Sequence, residues 1–134
     1  MAYNGYLLKL GGTQLPLKYI KHGTYKATPS QMIDLDPYRD ADGYMHRGVL
    51  AHDPAKIEWE TPHLNTSLMQ SLLALLKNAM SDTTERKLSV EYYDDYNNSY
   101  RTGDFYLPDI VFTPYTVSSA EIVYEPARIA LIEY

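Results

Sequence analysis

The chain has 134 residues, 45% of them hydrophobic and 22% charged, which matches one soluble globular domain over residues 1–134. Its net charge of −5 argues against a specific nucleic-acid partner, and the absence of cysteine excludes disulfides and thiolate chemistry. The N-terminus has neither the basic segment nor the apolar run of a signal peptide, and no apolar stretch is long enough to span a membrane. We therefore expect no signal peptide and no membrane partner.

The first part of the chain predicts a hairpin and then a long loop. Residues 6–10 form a short apolar strand, Gly11-Gly12 is a turn signal, and 14–20 is the return strand. The next segment, 21–43, has no hydrophobic periodicity and contains scattered Gly, Pro, Ser and Asp. Because a structureless stretch of about twenty residues is uncommon in a compact domain, such loops are usually functional or disordered. The sequence predicts a long polar loop over 21–43 that reaches a neighbouring subunit.

The middle of the chain predicts two strands and a helix. Residues 44–51 are typical of a strand, and residues 56–60 alternate cleanly between apolar and charged side chains. Residues 65–80 then place apolar side chains at helical spacing, with Asn65 or Thr66 able to cap the first turn. This is the one helix that the sequence predicts, and its wide apolar face must pack against a sheet.

The second half predicts strands only. They are 87–93, 100–106, 109–113, 121–124 and 127–134. The polar segment 94–98 turns the first pair into a hairpin, and 114–120 is rich in turn residues. The last strand has apolar residues on both parities, which indicates a central strand. The predicted fold is mainly β (α+β): an antiparallel β-sandwich or partly closed barrel with one α-helix packed on it.

The acidic segment of the long loop is a candidate calcium site. Its aspartates are Asp34, Asp36, Asp40 and Asp42. If Gly43 is given the sixth position of an EF-hand loop, Tyr38 falls at the first position and Val49 at the twelfth, where carboxylates are required. Strands rather than helices also flank the segment. We interpret Asp-Gly here as a turn and predict no metal.

No other pattern predicts chemistry. The four histidines lack the short spacing of a zinc site, and no serine lies in a nucleophile motif. The acidic pairs fall on strand faces or at a hairpin tip, where solvation explains them, and Gly11-Gly12 leads into a strand rather than a phosphate-binding helix. We predict no enzyme, no cofactor and no small-molecule ligand.

Tyrosine is unusually frequent, with 14 tyrosines against two phenylalanines and one tryptophan. This skew suits a protein–protein surface, and it equally suits half-buried strand positions. The candidate assembly residues on the loop are Tyr38, Arg39, Asp40, Asp42 and Arg47, where both charge signs allow head-to-tail pairing with a second copy. The candidate contact residues at the hairpin tip are Tyr93, Asp95, Tyr96 and Tyr100. We expect Arg39 and Asp40 to bond a neighbour.

Four stretches carry a resemblance to a known group of proteins. They are DLDPYRDADGYMHR (34–47), KIEWETPHL (56–64), ERKLSVEYYDDYNNSYRTGDFYLPDIVF (85–112) and YEPARIALIEY (124–134). As a set they resemble small proteins encoded in the tail modules of siphophages and prophages of Gram-positive gut bacteria. The resemblance covers most of the chain from residue 34 onward, and none of its motifs is catalytic.

The resemblance implies a structural component of a phage or prophage tail, similar in fold to tail-tube, tail-tip and hub ring proteins. The implied partners are copies of itself in a hexameric ring and neighbouring tail proteins. Such a protein is made in the bacterial host cytoplasm and resides in the virion tail. DNA would pass through the ring, and an acidic inner wall would let it slide without sticking.

Two alternatives stay open. A head–tail connector or tail terminator has a similar size and also forms rings. A carbohydrate-binding β-sandwich module would instead use Tyr93, Tyr96 and Tyr100 as a platform on which sugar rings stack.

Overall fold

The computed structural model describes residues 3–134, so Met1 and Ala2 of the predicted domain lie outside the described residues. These residues form thirteen short strands, a 3₁₀ turn at Leu17–Tyr19, and one α-helix, α1, at Thr66–Ala79. The strands are β1 (Leu8–Leu10), β2 (Thr13–Gln14), β3 (Lys26–Thr28), β4 (Tyr38–Arg39), β5 (Met45–His46), β6 (Lys56–Glu60), β7 (Leu64–Asn65), β8 (Met80–Asp82), β9 (Lys87–Asp94), β10 (Ser99–Tyr106), β11 (Pro114–Val117), β12 (Ile122–Tyr124) and β13 (Arg128–Glu133).

The main sheet of the described chain has eight strands in the order β2-β1-β9-β10-β13-β6-β3, with β8 paired to the start of β9. All of these pairings are antiparallel. The last strand, β13, pairs with β10 on one side and β6 on the other, which confirms its predicted central position. Within residues 3–134 the end strands β2 and β3 do not pair with each other. The sheet is therefore open, not a closed barrel.

The core follows from the alternation of side chains along the central strands. On β6, Ile57 and Trp59 are buried, while Lys56, Glu58 and Glu60 are only half-buried. On β9, three alternate residues are buried in the same way: Leu88, Val90 and Tyr92. They belong to one buried cluster with the inner face of α1, which contributes Met69, Leu72 and Leu76. The mainly β fold with a single packed helix is thus confirmed.

A smaller sheet, in the order β11-β12-β7, joins the helix to the rest of the molecule. Strand β7 leads directly into α1, and Asn65 caps the helix by accepting the Leu68 N–H at 2.9 Å. Thr66 Oγ1 accepts the N–H of Ile122 at 2.9 Å, which ties the first turn to β12. Strand β11 is the edge of this sheet, and all four of its residues are exposed.

Three strand predictions are wrong. The return strand predicted over 14–20 ends at Gln14, because Pro16 lacks an N–H for the ladder and the next residues form the 3₁₀ turn. The strand predicted over 44–51 shrinks to β5. Residues 109–113 form no strand, and β11 lies instead within the segment 114–120 that was predicted as turns.

The segment 21–43 is also more ordered than predicted. It contains β3, which is the edge of the main sheet next to β6, and β4, which pairs with β5. Its expected role as a contact between subunits stays a prediction.

Candidate assembly surface

The most distinctive feature is a hairpin over residues 32–50, here called the arm. Two backbone hydrogen bonds close its base, from Leu35 N–H to the Gly48 carbonyl at 2.8 Å and from Leu50 N–H to the Ile33 carbonyl at 2.9 Å. The β4–β5 pair continues the ladder outward, with Tyr38 opposite His46. The aspartate-rich segment singled out from the sequence therefore forms the two sides and the turn of one hairpin.

Asp40 shapes the turn of the arm. Its Oδ1 accepts the backbone N–H groups of Asp42 and Tyr44, each at 3.0 Å, and its Oδ2 lies 2.8 Å from His46 Nε2. The hydrogen bond from His46 lowers the pKa of this carboxyl, and the two backbone N–H groups act in the same direction. Gly43 completes the turn at a φ of +87°, where a glycine is favoured.

The two arginines of the arm also bond within it. Arg39 donates from Nη1 to the Gly43 carbonyl at 2.8 Å. Arg47 reaches across the base, with Nη2 at 2.9 Å from Asp34 Oδ2. Sequence reasoning expects Arg39 and Asp40 to bond a neighbour, whereas the structure shows both engaged inside the arm. The carboxylates of Asp36 and Asp42 have no side-chain partner among the described residues.

The arm carries a large share of the exposed apolar surface. Eight of the seventeen large hydrophobic side chains that are exposed in residues 3–134 lie on it: Met32, Ile33, Leu35, Tyr38, Tyr44, Met45, Val49 and Leu50. Leu35 is 63% exposed and Tyr44 is 72% exposed. Residues 41–50 are all exposed, so this part of the arm contributes nothing to the core. An isolated two-stranded hairpin is marginally stable in water, and an apolar one is expected to need a partner.

The predicted contact residues of the β9–β10 tip do not form one surface. Tyr93 and Tyr100 pack edge to face at 5.6 Å, and Tyr100 stacks on Tyr6 at 4.6 Å. Tyr6 donates to the Glu91 carboxylate, which raises the pKa of Tyr6 to about 12. Of the three tyrosines predicted at the tip, only Tyr96 is exposed, at 76%, and it lies next to Asp95, which is also exposed. Tyr93, Tyr96 and Tyr100 therefore do not form the flat platform on which sugar rings would stack.

The sequence predicts that Asp94 is part of the polar turn 94–98, and its buried position is not visible in the residue pattern. Asp94 is fully buried, where it accepts the Tyr96 N–H at 2.9 Å and the Asn97 side-chain amide at 2.7 Å. Arg101 lies 3.7 Å from Asp94 and donates to Ser30 Oγ at 3.2 Å, just before the arm. The tip of the β9–β10 hairpin is thereby connected to the root of the arm.

A second apolar surface, here called the groove, lies between α1 and the segment after β10. It has a volume of about 360 Å³, and its lining includes Leu73, Lys77, Met80, Arg86, Ile110 and Phe112. Arg86 pairs with Asp109 at 2.7 Å, whereas Lys77 has no ion-pair partner in the described part of the chain. One feature of the sequence indicates the groove. The apolar face of α1 is wider than one contact with a sheet can cover.

The described residues offer no sign of a metal site or a membrane helix. No three His, Asp or Glu side chains in residues 3–134 lie close enough together to share a metal ion. Within the same range, α1 falls short of the length and apolarity that a bilayer-crossing helix needs.

Comparisons with known proteins place the fold. No curated protein sequence matches the chain. A solved structure described as the tail of an empty GTA (gene transfer agent) particle, with C6 symmetry, contains a chain of similar fold. The two chains share 14% sequence identity at a TM-score of 0.53, over 99% of this chain and 95% of that one. A family model described as a family of unknown function (DUF6711) matches residues 1–134. The chain therefore belongs to the DUF6711 family.

Proposed function

We propose that this protein is a structural component of a phage or prophage tail, where copies of it form a ring or a tube segment. The observation that carries the proposal is the fold: nearly the whole chain, 99%, superposes on a chain from a C6-symmetric tail particle. The sequence resemblance to tail-module proteins is independent support. On the same resemblance, we propose that the tail belongs to a siphophage or prophage of Gram-positive gut bacteria.

The arm supports this role because it is built as a contact element. Its turn and base are held by hydrogen bonds within the arm, and these bonds define the shape of the hairpin. Its apolar side chains nevertheless face outward. A pre-shaped surface loses less conformational freedom on binding than a disordered loop does. In this proposal Arg39 and Asp40 maintain the shape of the arm, and the exposed side chains of Leu35, Tyr38 and Tyr44 make the contact.

A ring also accounts for the negative charge of the chain. Six copies at −5 each would surround the central opening with an acidic protein, and DNA would pass through without adhering. The partners in this proposal are copies of the same chain and the adjoining tail proteins. The site of action is the virion tail, after synthesis in the host cytoplasm.

Light scattering coupled to size exclusion tests the proposal on the purified chain. The expected result is a ring-sized species that grows with protein concentration and is indifferent to calcium, because Asp40 already uses its oxygens within the arm. Assembly that requires calcium would overturn the interpretation of the acidic turn. A strict monomer that also fails to bind other tail proteins would overturn the tail role itself.

A further inference from the structure

We propose that the groove between α1 and residues 107–112 receives the arm of a second copy of this chain. The inference rests on the proposed tail role and deepens it, because it names the surface that the arm contacts. It assigns to each copy one donor surface and one acceptor surface, which are different parts of the chain.

The two surfaces match in apolar character. The groove is lined by Leu73, Met80, Ile110 and Phe112, and its volume of about 360 Å³ suits one or two large side chains. The arm offers such side chains near its turn, where Tyr44 is 72% and Met45 is 48% exposed. Phe112, 41% exposed at the rim, would be covered by the same contact.

The two surfaces also match in charge. The arm carries four aspartates against two arginines, and within the described residues Asp36 and Asp42 have no side-chain partner. The groove presents Lys77 without an ion-pair partner in residues 3–134, beside Arg86, which is paired with Asp109. An acidic apolar hairpin and a basic-rimmed apolar groove attract each other, and this complementarity favours one orientation of docking.

A donor surface and an acceptor surface on different parts of the same chain permit a head-to-tail arrangement, which is the one proposed here. Among the described residues the arm's hydrogen bonds stay within residues 32–50, so the arm is free to contact another copy. A head-to-tail contact generates a closed ring when the rotation between copies closes, and a filament when it does not. The arm spans 19 residues (32 to 50), close to the ~20–30 that a standard interface takes from each side.

Disulfide trapping tests the contact directly, because the natural chain has no cysteine. The test variant carries Tyr44→Cys on the arm and Phe112→Cys at the groove, and it is oxidised at high protein concentration. The matched control carries Tyr44→Cys and Tyr96→Cys. Tyr96 is 76% exposed, more than Phe112, and lies beyond the end of β9 that is remote from the groove.

The expected result is a ladder of crosslinked species from the test variant and not from the control. Equal ladders from both variants would show random collision and would overturn the inference. Crosslinking by Tyr44→Cys alone would show arms meeting arms, which also overturns it. Monomers without crosslinks at every concentration would mean that a second copy is not the occupant of the groove.

A charge exchange gives an independent readout that does not depend on cysteine. Asp42→Lys and Lys77→Asp should each weaken association by about fivefold, and the double variant should recover it. Failure of the double variant to recover would exclude this pairing of surfaces. Rings that form without arm–groove crosslinks would agree with the proposed tail role and would contradict only the proposed docking site. Arm–groove crosslinks in open filaments would support the docking site and contradict the closed ring.

Discussion

Leucine is exposed at position 35 and buried at position 72. Substitution of each by alanine therefore distinguishes an effect on folding from an effect on assembly. Leu72 on α1 is 0% exposed, whereas Leu35 on the arm is 63% exposed. Leu72→Ala removes buried methyl groups and leaves a cavity, so the free energy of unfolding should fall by ~2–5 kcal/mol. Leu35→Ala removes a side chain that mostly contacts water, so that free energy should change by less than ~0.5 kcal/mol.

The association constant between copies should depend on Leu35, which is exposed, and not on its stability contribution. Full burial of a leucine side chain stabilises a structure by ~1.5–3 kcal/mol. Because 63% of Leu35 is open to a partner, covering it should contribute ~1–2 kcal/mol, which is about 5- to 30-fold in the association constant of each contact. Leu35→Ala should therefore weaken assembly while the folded monomer keeps its stability.

Urea unfolding at low protein concentration measures the first quantity, and sedimentation velocity over a concentration series measures the second. If Leu35→Ala lowers the free energy of unfolding as much as Leu72→Ala does, the arm belongs to the core. If Leu35→Ala leaves the association constant unchanged, this side chain makes no contact between copies.

Two further predictions concern the fold and the turn of the arm. A Cβ on Gly11 would lie 2.9 Å from the Ala79 Cα at a φ of +57°, so Gly11→Ala should cost ~2–4 kcal/mol in urea unfolding. Gly12→Ala, at a φ of +88° with nothing within 4 Å, should cost only ~1–2 kcal/mol, and equal costs would contradict the close approach. The hydrogen bond from His46 lowers the pKa of Asp40 in the folded chain. The stability that this bond contributes is therefore present above pH 3.8, the usual pKa, and is lost as the pH falls through the lower pKa of the folded state. A carboxyl ¹³C titration that places the Asp40 midpoint at or above 3.8 would refute that sign.

Local patterns predicted those elements whose side chains meet the core. Strand β6 occupies the predicted range 56–60, and the β9–β10 hairpin turns at the predicted polar segment 94–98. On β10 only Phe105 is buried. On β6 and β9 a buried face alternates with a more open one, so the period of two is visible in the sequence. The helix at Thr66–Ala79 lies inside the predicted 65–80 for the same reason, with a period of 3.6.

Elements on the surface were harder to predict because packing does not shape their sequence. Residues 109–113 have the β-branched and aromatic composition of a strand, yet Val111 is 76% exposed and pairs with no strand. Strand β11 begins at Pro114, which is tolerated because β11 is an edge strand, and proline in a run is normally evidence against a strand.

The acidic segment stands out in the sequence, whereas its internal bonds do not. The acidic segment led to the arm, but the internal bonds of Arg39 and Asp40 depend on the hairpin geometry, which residue spacing does not contain. The groove lies between α1 and the segment after β10, which are far apart in the chain, and Asp94 lies beside Arg101, which bonds the distant Ser30. Only the three-dimensional arrangement reveals them.

Electron microscopy of the purified protein at high concentration can show whether the chain assembles into a tail ring. We expect rings or short tubes with a central opening and sixfold symmetry, and with the arm of each copy in contact with the next. Compact two-fold dimers joined through the arms, or particles without a central opening, would rule out such a ring.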